Sequence, residues 1–316
     1  MLVFCGEPVV WASEKMRMMK GFLVVALLIL SAAGGWAWSS GGHQVVAAAA
    51  YRELSPALKK KVSEILKAHP DYERWKKYYR TDNNSLDLEA YVFLRASVWP
   101  DEIRSRDNPY HHPHWHYIDY PLKPRRFSFE PDPAPNDDAL FAIAKCEQEL
   151  SSRKTSPEDR AIYLSWLIHL VGDLHQPLHC ASLVDAAYPT GDRGGNDFFV
   201  KPEEREINLH SFWDGLLGTS GKAQTHWNYA VAIDADHPRK SLKELKADKT
   251  PKDWSLEGRT LAIDKAYLRG SLKGGTSRET AVALPNGYAK AAKVVAEKQG
   301  ALAGYRLADE IEKYVR

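Results

Sequence analysis

Two short segments place histidine and aspartate four residues apart: His169 and Asp173 within HLVGDLHQPLH, and His210 and Asp214 within HSFWD. On a helix the i, i+4 spacing brings both side chains to one face, close enough to share a cation. His179 lies beyond Pro177, which breaks the helix and lets the chain turn back toward the same region. Imidazole nitrogen with carboxylate oxygen is a donor set that suits zinc. One such pair alone is more often a surface contact; two pairs together with HQPLH favour a metal site. His169 also lies beside an apolar stripe, where an unpaired ring would be costly. Gly172, just before Asp173, permits close backbone approach.

The elements that must hold these groups read as helices. Ser156-Pro157-Glu158-Asp159 combines an N-cap, a proline in the first turn and early acidic residues, so a helix is expected from there to Gln176. Its Ile162, Trp166, Leu167, Leu170, Val171 and Leu174 recur at helical spacing and predict the buried face. Further helices are expected over 43–54, from Ser55-Pro56 to about Ala68, over 86–98 with a stop at Pro100, over 137–151 and 209–217, and three or four more within 223–316. Residues 107–135 read as a loop rich in proline and aromatics, and 191–196 as a glycine-rich turn. Segments 198–200 and 206–208 predict one short β-hairpin. No repeat or linker follows residue 38. The expectation is an all-α fold, a single helical domain with at most a short hairpin.

Composition narrows the function classes. The 316 residues are 44 % hydrophobic and 27 % charged, and a mean hydropathy of −0.45 rules out a polytopic membrane protein. With 43 Lys+Arg against 41 Asp+Glu, no strong basic surface is advertised. Three cysteines without a CxxC pair exclude zinc fingers and disulfide-dense scaffolds. Residues 16–37 (MRMMKGFLVVALLILSAAGGWA) read as an export signal: Arg17 and Lys20, an apolar run over 22–30, then Gly35-Trp36-Ala37 as a small-x-small cleavage site. Residues 1–15 do not resemble the start of such a signal and read as an upstream extension. Cleavage would leave a chain of 38–316 that begins at Trp38 and is secreted or periplasmic. Cys146 and Cys180 remain in it, and whether they pair stays open, as does use of the Asn83-Asn84-Ser85 glycosylation sequon.

In chain order the mature region presents Trp38 and His43, WPDEIR at 99–104, HYID at 116–119, HLVGDLHQPLH, HSFWD and GYRLADEI at 304–311. This series resembles the S1/P1 family of zinc-dependent single-strand nucleases over essentially all of 38–316. The resemblance implies the helical fold shared by these nucleases and zinc phospholipases C, and three zinc ions per chain. Trp38, through its free amine and carbonyl, and His43 would hold one zinc. Asp173 would bridge it to a second, held also by Asp101, His116 and His169. His179, His210 and Asp214 would hold the third. An amide nitrogen is no ligand at neutral pH, so the Trp38 role requires removal of the signal. HYID selects His116 over His111, His112 and His114, and His175 reads as a packed or supporting ring.

By the same resemblance Arg104 would contact the phosphate, with Asp101 and Asp173 taking part in catalysis through the metals. Tyr117 and Asp119 would border a base pocket. Asn196 would bring its amide to the phosphate, although a structural turn explains it equally well. Three zincs and three aspartates leave about +3 at the site, a focused field that can bind a phosphodiester on a nearly neutral protein. The implied substrates are single-stranded DNA, RNA and 3′-nucleotides, cut to 5′-phosphate products by a monomer that needs neither a stable protein partner nor a membrane. A zinc phospholipase C of the same fold is the nearest alternative; the short spacing from Trp38 to His43 and an aspartate at 214 favour the nuclease. A non-catalytic secreted zinc-binding protein is the alternative of another class; the complete ligand set with an open third zinc, together with Arg104, argues against it, because purely structural zincs have closed shells.

Overall fold

Eleven α-helices run through the described residues, which in this computed structural model are 38–82, 84–104, 107–123, 137–219 and 221–315. The expected signal and its cleavage site, and Asn83 of the sequon, lie outside them. In chain order the helices are α1 (Ser40–Glu53), α2 (Pro56–Leu66), α3 (Tyr72–Thr81), α4 (Leu88–Glu102), α5 (Ala139–Ser151), α6 (Pro157–Asp173), α7 (Leu209–Asp214), α8 (Ala223–Asp236), α9 (Glu244–Ala247), α10 (Pro251–Leu261) and α11 (Tyr288–Tyr314).

The fold is all-α, and its few strands are two or three residues long. The expected hairpin is β3 (Phe199–Lys201) against β4 (Ile207–Asn208), joined on the other edge of β3 by a parallel β5 (Val282–Ala283). A second parallel pair links β1 (Pro121–Leu122) to β2 (Ser182–Leu183). These pairings tie down the loops that carry His116 and His179.

α6 is the central element. Ser156 caps it through the Asp159 backbone N–H, and Pro157 takes the first turn, where its missing N–H costs nothing. The six apolar residues picked out by spacing are all buried, and from Leu164 to Asp173 the helix is buried on every side. α4 and α5 pack against it, with α1 and α11 behind. The alanines of α1 serve that packing: a Cβ on Gly304 of α11 would come within 2.5 Å of Ala49 Cβ, so the two helices meet at their small residues.

Among the helix ends that differ from expectation are those of α4 and α6. α4 passes through Pro100 and ends at Glu102. Proline removes one backbone hydrogen bond there, yet residues 96–101 are buried, and their packing outweighs a cost of about 3 kcal/mol. Asp101 therefore sits on the last helical turn. α6 stops at Asp173, and residues 174–176 form tighter turns before Pro177.

Candidate metal centre

Nine residues from four helices, two short 3-10 turns and the segment ahead of α1 converge below the protein surface. His43 comes from α1, Asp101 from α4, His169 and Asp173 from α6, and His210 and Asp214 from α7. His116 ends the 3-10 turn Pro113–His116, and His179 lies within the 3-10 turn Pro177–Cys180. The eight histidine and aspartate residues are at most 5 % exposed, and Trp38 is fully buried.

Ligand-type atoms gather in three groups: His43 with Asp101 and His169, His116 with His169 and Asp173, and His179 with His210 and Asp214. The Asp173 carboxylate joins them. Its Oδ1 is 3.3 Å from His43 Nε2 and 3.8 Å from His179 Nδ1, and its Oδ2 is 3.1 Å from both His116 Nδ1 and His169 Nε2. His169 Nε2 also stands 3.7 Å from Asp101 Oδ1, and His210 Nε2 stands 3.5 Å from Asp214 Oδ2. The first two groups share His169, and His43 falls with Asp101 and His169 while its Nε2 also reaches Asp173.

Backbone carbonyls set three of the rings. His169 Nδ1 faces Ser97 O at 2.8 Å, His179 Nδ1 faces His116 O at 2.6 Å, and His210 Nδ1 faces Gly194 O at 2.7 Å. A carbonyl only accepts, so each Nδ1 carries the hydrogen and each Nε2 presents a lone pair. Gln176 does the same for a carboxylate: its Nε2 donates to Asp214 Oδ1 at 2.7 Å, leaving Oδ2 beside His210.

Such an assembly is costly without a cation. His43 Nε2, His179 Nε2, Asp173 Oδ1 and Asp214 Oδ2 are buried with no hydrogen-bond partner. Burial, opposed by the Gln176 bond but helped by the Asp101 and Asp173 charges, holds the Asp214 carboxyl well above the usual carboxylate range. Burial also pushes His43 down to about 4, with the His169 charge adding to it, and pushes His116 to about 3, with Arg104 adding to it. Histidine nitrogens and crowded carboxylates at bonding range are the donor set of a divalent-metal site, and the residues fit zinc.

Comparison with known proteins agrees with this geometry. A family model described as S1/P1 Nuclease matches residues 38–316. The chain belongs to the S1/P1 nuclease family. Among curated relatives it is 30 % identical to Endonuclease 4 of Arabidopsis thaliana over 251 residues, which are 69 % of this chain and 76 % of that protein. It is 24 % identical to Endonuclease 2 of the same plant over 80 % of this chain and 84 % of that one. It is 29 % identical to Nuclease P1 of Penicillium citrinum over 57 % of this chain and 58 % of the relative.

In this nuclease the segment ahead of α1 reaches the same centre. Ser39 N–H bonds Asp214 O at 3.1 Å. A Cβ on Gly172 would come within 2.9 Å of His43 Nδ1 and 3.9 Å of Trp38 Cδ1. Gly172 is thus required by the close approach of the His43 ring. The Trp38 amine is bonded to Ala37, which lies outside the described residues.

The substrate-side residues divide. Arg104 places Nη2 2.8 Å from Asp101 Oδ1, with its side chain about a quarter exposed, at the rim of the centre. Tyr117 directly follows His116 and is partly buried, while Asp119 faces solvent. Although the residue keeps exposed surface, protein crowded around its carboxyl first, and the Asp192 charge second, push it up to about 7. Asn196 donates from Nδ2 to Arg193 O at 2.8 Å and closes its own turn. The glycines of that turn matter more directly, because Gly194 and Gly195 at φ 62° and 83° aim their carbonyls at the His210 ring and backbone N–H. Of the loop histidines, His114 is exposed and pairs with Asp137 at 2.8 Å, while His112 stacks on Trp115. Cys146 and Cys180 are buried free thiols.

Proposed function

We propose that this nuclease is a secreted trinuclear zinc enzyme that cleaves single-stranded DNA and RNA to 5′-phosphate products and also removes phosphate from 3′-nucleotides. The observation that carries the reading is the convergence of three histidine-aspartate groups on Asp173, with lone pairs turned inward by Ser97 O, His116 O and Gly194 O. Trp38 (through a freed amine and its carbonyl), His43 and Asp173 would hold one zinc. Asp101, His116, His169 and Asp173 would hold the second, and His179, His210 and Asp214 the third. Zinc bound there supplies a water acidic enough to act as nucleophile near neutral pH and positive charge against the leaving oxygen.

The chain's own groups do the rest. Arg104 offers a planar fork to a phosphate beside Asp101, where the charge of the transition state develops. Tyr117 supplies a ring face for an unpaired base, and Asp119 a carboxyl for its polar edge. A paired base cannot be splayed onto such a platform without unstacking, which supports the single-strand preference. Removal of the segment before Trp38 is part of the proposal, as is export.

Single-stranded DNA and phosphatidylcholine offered side by side to the purified protein test it. Expected are DNA fragments with 5′-phosphate ends, loss of cleavage with EDTA and recovery with zinc. Hydrolysis of the lipid in place of DNA, or cleavage indifferent to chelation, would reject it.

A further inference from the structure

The GYRLADEI segment lies far along the chain from every proposed ligand, yet its arginine reaches the centre's supporting layer. Arg306 of α11 is 3 % exposed. One arm of its guanidinium, Nη1, meets His175 Nε2 at 2.7 Å, and the other, Nη2, donates to Glu257 Oε2 at 2.8 Å. Gln299 Nε2 holds the second oxygen of Glu257 at 2.7 Å, and the guanidinium lies over Trp254 at 5.5 Å.

This fixes the His175 ring. Guanidinium only donates, so His175 Nε2 accepts and Nδ1 carries the hydrogen. That hydrogen goes to Val171 O at 2.6 Å. The bond completes the carbonyl count at the end of α6. Leu174 N–H serves Leu170 O, His175 N–H serves Gly172 O and Gln176 N–H serves Asp173 O, each at 3.0 Å. The tightening of that turn leaves Val171 O over, and the His175 ring meets it. α10 presses on the same turn: a Cβ on Gly258, next to Glu257, would lie 2.7 Å from Cys180 Sγ and 3.2 Å from Leu174 O.

We propose that Arg306 is a positioning residue: through the His175 tautomer, and with Glu257 as its counter-charge, it locks the last turn of α6 and so holds Asp173 at the point where the metal groups meet. The inference rests on the zinc reading above. Its effect falls on how firmly the ions are held and on kcat, while substrate contacts and KM stay as they are.

The test is zinc release from the loaded protein into excess chelator, compared for wild type, R306K, R306Q and E257Q, with kcat and KM alongside. R306Q is expected to release zinc roughly 10-fold faster or more, the scale of a lost partner behind a metal ligand. R306K should fall between, because ammonium keeps the charge and loses the fork. E257Q should shift in the same direction by less, and it decides the matter alone if R306Q does not fold. Nitrogen NMR of the metal-free wild type should show His175 protonated at Nδ1. Release at the wild-type rate with only a lowered melting temperature would overturn the proposal and leave Arg306 a brace. A wild-type protein that takes up no zinc would sink the functional reading, and this inference with it.

Discussion

His43 and Asp173 meet at 3.3 Å with neither side chain exposed, although one opens α1 and the other closes α6. The contact explains why Gly172 stands beside Asp173: the His43 ring occupies the space a Cβ would fill. Asp173 also stands within 4 Å of a histidine from each of the three clusters.

Arg104 is the first place to test the site's chemistry. Replacing it with lysine keeps the charge beside Asp101 and loses the bidentate fork. The expected result is a fall in kcat of about 100-fold, with metal content and circular dichroism unchanged. A change confined to KM would mean that Arg104 binds substrate without favouring the transition state.

Gln176 orients Asp214 through one carboxylate oxygen. Gln176→Leu removes that donor and leaves Oδ1 buried and unpaired. Zinc affinity at the His179, His210 and Asp214 group should drop about 10–100-fold, so that mild chelation leaves two zincs per chain where the wild type keeps three. Equal retention by both proteins would show that Asp214 needs no such support.

Much of this was legible in the sequence because it is local. The Ser156-Pro157 start, the apolar stripe of α6 and the His169–Asp173 and His210–Asp214 spacings each follow from neighbours within a few residues, and the structure reproduces them. What escaped has non-local causes. α3 fully buries only Trp75, with Tyr72 and Tyr79 packed beside it on one face, a three-residue aromatic stripe that is easily passed over in a run of charged residues. The turn at Pro100 was overridden by packing around residues 96–101. β5 and the β1–β2 pair join segments far apart in the chain. Ser97 O, His116 O and Gly194 O orient the histidines as backbone carbonyls, which any residue type could supply. Arg306 stood in a recognised motif, but its partners lie on α10 and in the turn after α6.

Glu310, on the same helix as Arg306, gives a pH prediction separate from the metal centre. Burial first, and the neighbouring Glu147 second, raise its carboxyl to about 8 from an ordinary 4.5. Between those values the folded chain holds a proton that the unfolded chain has released, so this group's contribution to stability falls as pH rises from about 4.5 to about 8. Glu310→Gln should therefore raise the melting temperature at pH 8, on the order of 2 °C for a chain this long, and the gain should vanish toward pH 4.5. A gain equal at both pH values would show that ionisation of Glu310 is not its cause.

The central claim is that buried histidines and aspartates from α1, α4, α6 and α7 cage three ions around Asp173. The most direct measurement is the metal-to-protein ratio of the purified chain, taken with its N-terminal residue identified. The account predicts three zincs per chain on a protein that begins at Trp38. One zinc or none on the folded protein would contradict it.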